Sequence, residues 1–112
     1  MEISTNSNTN YDVIKINGRI DSYSAPVVQD TLQSLVLNSR YNIVIDMQDV
    51  TYLSSSGILV FLETQRKLAR QGQGAMVFAN MPSGVYSIIE IAGLENVFTF
   101  CDDLQSAEGR FQ

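Results

Sequence analysis

Apolar and polar positions change period several times along this chain, and the changes outline its elements. Tyr11 to Asn17 alternate, with Tyr11, Val13, Ile14 and Ile16 apolar and Asp12, Lys15 and Asn17 between them. This pattern predicts a strand. Before it, Glu2-Ile3-Ser4 suits the start of an edge strand and Asn6 to Asn10 a turn; the alternative for residues 1–7 is poor order. Gly18 and Arg19 follow, and Ile20 to Ser24 read as a strand end and a loop. Val27, Val28, Thr31, Leu32, Leu35 and Val36 then recur at helical spacing, with Ser24 as the expected N-cap and Pro26 in the first turn.

Further on, Asn42 to Met47 form a β-branched apolar run bounded by polar turns, as a buried strand would. Gln48 to Ser54 read as a connecting loop with Val50, Tyr52 and Leu53 turned inward. Gly57 to Ala69 carry a broad helical apolar face, stopped by Gln71-Gly72-Gln73-Gly74. A strand over Ala75–Ala79, a helix from Ser83 to Ala92, a strand over Val97–Phe100 and a small helix capped by Asp102 or Asp103 complete the chain. The order β-β-α-β-α-β-α-β-α predicts a mixed, largely parallel sheet of four to five strands with about four helices, covered more on one face than the other. The 112 residues suit a single domain, 1–112.

Composition narrows the chemistry. Histidine is absent, which removes Ser-His catalysis and histidine-ligated metal sites. Cys101 is the only cysteine, so an internal disulfide is excluded. The net charge of −5 and the scattered cations argue against nucleic acid as a partner. Arg66, Lys67 and Arg70 group late in a predicted helix, where they complement its negative end. Polar residues 1–10 lack the apolar segment of a signal peptide, and no apolar run approaches a membrane span. A cytoplasmic, non-enzymatic protein without membrane insertion, cofactor or metal is expected. Asp46 and Asp49 read as solvated loop acids, and Met76, Met81, Phe61, Phe78, Phe98 and Phe100 as core.

The candidate chemistry lies at Ser54-Ser55-Ser56. Three hydroxyls fall where a strand and loop give way to a helix. There, backbone N–H groups and the helix dipole favour an added negative group. One of these serines suffices as an N-cap. The functional alternative is phosphoryl acceptance, which would leave the fold intact while changing the charge presented to a docked partner.

Asp46-Met47-Gln48-Asp49-Val50-Thr51-Tyr52-Leu53-Ser54-Ser55-Ser56-Gly57-Ile58 resembles the signature of STAS domains, best matched among bacterial anti-sigma factor antagonists. Gly18-Arg19-Ile20-Asp21, Gly74-Ala75-Met76-Val77-Phe78, Ile91-Ala92-Gly93-Leu94 and Val97-Phe98 extend the resemblance over residues 8–108. It implies a STAS-type fold and a protein-interaction module. Its partner would be an anti-sigma factor with serine kinase activity, released when Ser55 is phosphorylated and reset by a serine phosphatase. Ser54 and Ser56 are alternative acceptors. Asp21, Ser22, Ser54, Ser55, Ser56, Gly57 and Ile58 are the implied partner surface. Ser54 stands where the family usually has Asp, and Leu59 where Gly is frequent. A regulatory subunit that binds a membrane-transport ATPase without phosphorylation is the second role the resemblance allows.

Overall fold

The computed structural model describes residues 1–112. Five strands form one sheet in chain order: β1 (Glu2–Ser7), β2 (Asp12–Ile20), β3 (Asn42–Leu53), β4 (Ala75–Ala79) and β5 (Thr99–Cys101). β1 pairs antiparallel with β2, and the remaining pairs are parallel. Four helices connect or follow them: α1 (Ala25–Leu37), α2 (Ser55–Gln71), α3 (Ser83–Ile91) and α4 (Leu104–Gly109).

Alternation along the strands divides the core. Ile14, Ile16, Ile43, Ile45, Met47, Met76 and Phe78 face α1, α2 and α3, where Val28, Leu32, Phe61, Leu68, Val85 and Ile89 meet them. Phe78 contacts Phe61 and Phe98 edge to face, with ring centres 5.0 and 5.3 Å apart. On the other face, Val13, Val44, Val77 and Ala79 pack under α4 through Ala107 and Leu104, joined by Phe111. The Tyr11 hydroxyl donates to Glu108 Oε2 at 2.6 Å and ties α4 to β2. Asp103 caps α4 by accepting from the Ser106 amide at 2.7 Å.

Several expectations change. Gln48–Leu53 continue β3 as strand rather than loop, paired with the end of β2. Two register shifts in the β2–β3 pairing, opposite Lys15 to Asn17 and Gly18 to Arg19, each put an extra residue in β3 and break its twofold pattern, so Val50 and Leu53 are buried while Tyr52 points outward. Bulges of this kind bend and twist a strand pair. The end of β3 thereby leaves the sheet with β2 as its only neighbour and carries the serine segment outward. The remaining β1 residues, Asn6 and Ser7, extend the edge strand in place of a turn.

Asp46 is buried rather than solvated. Its Oδ1 accepts from the Gln48 amide at 3.1 Å and from Asn80 Nδ2 at 3.2 Å, and Lys15 Nζ lies 3.7 Å from its Oδ2. Asp12 is also buried. Arg40 Nε donates to its Oδ2 at 2.7 Å, while the same guanidinium donates to the carbonyls of Asn8, Thr9 and Tyr11. A buried carboxylate needs such a partner, since desolvation would otherwise cost several kcal/mol, on the order of 3–5. One cation thus anchors β2, the β1–β2 turn and the exit of α1. Ser24, at the start of α1, makes no capping bond with its side chain.

Candidate functional site

The site forms where β2 and β3 end side by side. Ile20 pairs with Leu53, and the Ser54 amide donates to the Ile20 carbonyl at 2.8 Å. This bond brings two helix entries together, the turn Asp21–Ser24 before α1 and the serine run that opens α2.

At α2, each serine has a different task. Ser54 is the N-cap in extended backbone, and its Oγ accepts the Gly57 amide at 3.2 Å. Its carbonyl accepts the Ile58 amide at 3.0 Å. Capping of this sort satisfies donors that a helix start leaves without internal acceptors. Ser55 is the first helical residue and is exposed, and its hydroxyl makes no hydrogen bond within the chain. Ser56 is half-buried on the wall of a groove of about 270 Å³ between α1 and α2, which Ser22, Pro26, Leu59 and Glu63 also line.

At α1, Asp21 takes over the capping expected of Ser24. Its Oδ1 accepts the amides of Tyr23 and Ser24, each at 3.0 Å, and its carbonyl accepts the Ala25 amide at 2.8 Å. The Ser24 hydroxyl lies 2.8 Å from the Arg19 carbonyl and accepts the Asp21 amide at 2.9 Å. The Ser24 amide, with the Ser24 hydroxyl, the Tyr23 amide and the nearby Arg19 charge adding to it, holds the Asp21 carboxyl below the usual carboxylate range. Asp21 is therefore an anion at neutral pH, and its Oδ2 makes no bond within the chain.

Of the seven residues expected at this surface, five lie at its rim: Asp21, Ser22, Ser54, Ser55 and Ser56. Gly57 and Ile58 face inward. Ile58 is 7% exposed and belongs to the core, so the outward apolar position is taken by Leu59, 51% exposed. Gly57 is required by packing: a Cβ there would sit 2.7 Å from both Ile20 Cγ2 and Leu53 Cδ1. Close contact between α2 and the β2–β3 ends is what seats the serines.

Sequence reading missed Tyr23, Arg19 and Tyr52. Tyr23 is 91% exposed, and the Arg19 guanidinium stacks 4.4 Å from the centre of the Tyr52 ring. An aromatic inside the polar turn Asp21-Ser22-Tyr23-Ser24 was the available signal. No acid or base side chain bonds to the Ser55 hydroxyl. No group of three acidic or cysteine side chains is placed to hold a metal ion. No helix is long and apolar enough to cross a membrane.

The model of the STAS domain family matches residues 2–107. The chain belongs to the STAS domain family. Among its STAS relatives, the anti-sigma-B factor antagonist of Bacillus subtilis is 30% identical over 97 residues, spanning 87% of each chain. The anti-sigma-B factor antagonist of Listeria monocytogenes is 29% identical over 101 residues, which cover 90% of this chain and 84% of that one. Solved STAS structures share the fold. An anti-sigma factor antagonist from Mycobacterium paratuberculosis superposes with a TM-score of 0.83 at 23% identity, covering 98% of this chain and 92% of that one. The Bacillus cell-fate determinant SpoIIAA in its phosphorylated form gives 0.77 at 16% identity, covering 99% of this chain and 100% of that one. Its unphosphorylated form also gives 0.77, at 14% identity, covering 97% of this chain and 96% of that one.

Proposed function

We infer that this STAS chain, folded as one domain over residues 1–112, is an anti-sigma factor antagonist whose grip on its partner is controlled at Ser55. The partner is an anti-sigma factor with serine kinase activity. Binding the unmodified chain occupies that factor and frees its sigma factor for transcription, phosphate on Ser55 ends the complex, and a serine phosphatase restores it. The partner surface comprises Asp21, Ser22, Ser54, Ser55, Ser56 and Leu59, with Gly57 and Ile58 holding it from beneath. The process belongs to the cytoplasm, where sigma factors act.

The observation that carries this reading is the division of roles among the serines. Ser54 is committed to the cap and Ser56 lines the groove wall, whereas Ser55 stands free and exposed on the first turn. A phosphate there adds about −1.5 to −2 charges beside amides at the positive end of α2. The helix tolerates it, and a docked surface does not, because its desolvated groups meet bulk and charge without counter-ions. The names of the relatives and the existence of SpoIIAA in phosphorylated and unphosphorylated forms support the same assignment.

Phosphorylation by the purified cognate anti-sigma factor, followed by peptide mass mapping, tests it. Phosphate on Ser55 and loss of the complex are expected. Label on another residue, or an undisturbed complex after stoichiometric modification, refutes the assignment.

A further inference from the structure

Beside the Ser55 surface, on the other flank of the Asp21–Ser24 turn, runs a second and larger groove of about 580 Å³. Ile3, Gly18, Arg19, Tyr23 and Val27 line it, with Asp21 at the end nearest the serines. Tyr23 and Val27 are strongly exposed for apolar residues. Met1 joins them in the groove, and Tyr52 and Leu59 lie nearby, while Leu37 stands at the far end of α1 and Ile91 and Val97 at and beyond the end of α3. Apolar groups gathered on one side of a small chain, rimmed by polar ones, mark an interaction surface.

Arg19 gives that surface a chemical preference. Its guanidinium lies over the Tyr52 ring, yet it enters no ion pair within 4 Å and no side-chain hydrogen bond. Stacking limits the movement of the side chain and leaves the planar fork of N–H donors free, the arrangement that receives a carboxylate in two parallel bonds. The chain's ion pairs engage Lys15 with Asp46 and Asp49 and Arg40 with Asp12; Arg66, Lys67, Arg70 and Arg110 form none either, but only Arg19 combines a free guanidinium with an aromatic platform and an apolar groove. Arg19 is thus a prepared cation with no internal partner, set at the edge of an apolar groove in a chain whose net charge is −5.

We propose that the anti-sigma factor covering Ser55 also reaches across the Asp21–Ser24 turn and places an apolar side chain against Tyr23 and Val27, with a neighbouring carboxylate on Arg19. This rests on the assignment of Ser55 and extends it. The footprint has two parts, one beside the phosphorylation site and one on the far flank of the turn. The far part adds to the grip on the partner, because Tyr and Arg are the residue types that dominate interface energetics.

The test is affinity for purified cognate anti-sigma factor, measured for the wild-type chain, Tyr23→Ala, Arg19→Glu and Ser55→Asp. Both groove variants change exposed side chains, so their melting temperatures should match the wild type. Each is expected to weaken binding by about tenfold or more. If either binds within about twofold of wild type while Ser55→Asp binds weakly, the second contact is wrong and the Ser55 switch stands. If Ser55→Asp binds as the wild type does while Tyr23→Ala binds weakly, the switch is wrong and the groove contact stands. A photoreactive residue at position 23 supplies a readout independent of affinity: cross-linking to the anti-sigma factor in the unmodified complex is expected, and its absence overturns the proposal.

Discussion

The Ser54 hydroxyl oxygen accepts the Gly57 amide at 3.2 Å, and that bond sets Ser54 apart from the two serines that follow it. The capping serine is held in place, and its neighbour is left unencumbered. Ser54→Ala should therefore cost about 1 kcal/mol of stability. Ser55→Ala should cost almost nothing and abolish phosphate incorporation. Chemical denaturation and intact mass after a kinase reaction distinguish the two.

Gly57→Ala opposes two effects. Alanine gains about 1 kcal/mol of helix propensity over glycine. Its methyl group would meet Ile20 and Leu53 at 2.7 Å, and both are buried to within 1% of full enclosure. Overpacking of that kind costs about 1–3 kcal/mol and should exceed the gain. A net loss of about 1 kcal/mol is expected in urea unfolding, together with weaker partner binding as α2 moves away from the β2–β3 ends.

Arg40→Ala leaves the buried Asp12 carboxylate unpaired and frees the β1–β2 turn. A loss of about 3 kcal/mol is expected. Replacing both residues, as Asp12→Ala with Arg40→Ala, should cost less than the sum of the single changes, because the stranded charge is gone. A double-mutant cycle by denaturant titration checks this.

Alkaline pH should loosen α4. The hydrogen bond to Glu108, with burial adding to it, raises the Tyr11 hydroxyl above its ordinary value. The neutral phenol is the form that the fold favours. Its contribution is complete below the ordinary tyrosine pKa of about 10 and disappears as pH rises through the higher folded-state value. Amide exchange in Leu104–Gly109 should accelerate in that window, and Tyr11→Phe should remove this pH dependence.

Most of the fold was legible because its strands obey simple alternation. Ile43, Ile45 and Met47 face one side and Val44 the other, as the β-branched run implied. The second half of β3 was not legible for a definite reason. Past Met47 the inward positions are Val50 and Leu53, three apart, because β3 carries an extra residue against β2 at each register shift. A spacing of three looks like neither a strand nor a helix. Asp46 was misplaced, and the burial of Asp12 was not foreseen, for a different reason: their burial depends on Arg40, Lys15 and Asn80, partners distant in sequence. At the site, the serine run is legible from local cap chemistry, whereas Asp21 follows only from the family resemblance, because the local pattern points to Ser24 as the cap. The outward turn of Leu59 in place of Ile58, and the grouping of Tyr23 with Arg19, depend on where two helix entries meet, which no local pattern encodes.

The stretch of β3 beyond Met47 has a mechanical consequence. With only β2 beside it, this segment holds the serine run at the periphery, where Arg19, Tyr23 and Leu59 are exposed and stand apart from the Phe61–Phe78–Phe98 interior. A change of side chain at these exposed positions therefore carries little thermodynamic risk for the fold.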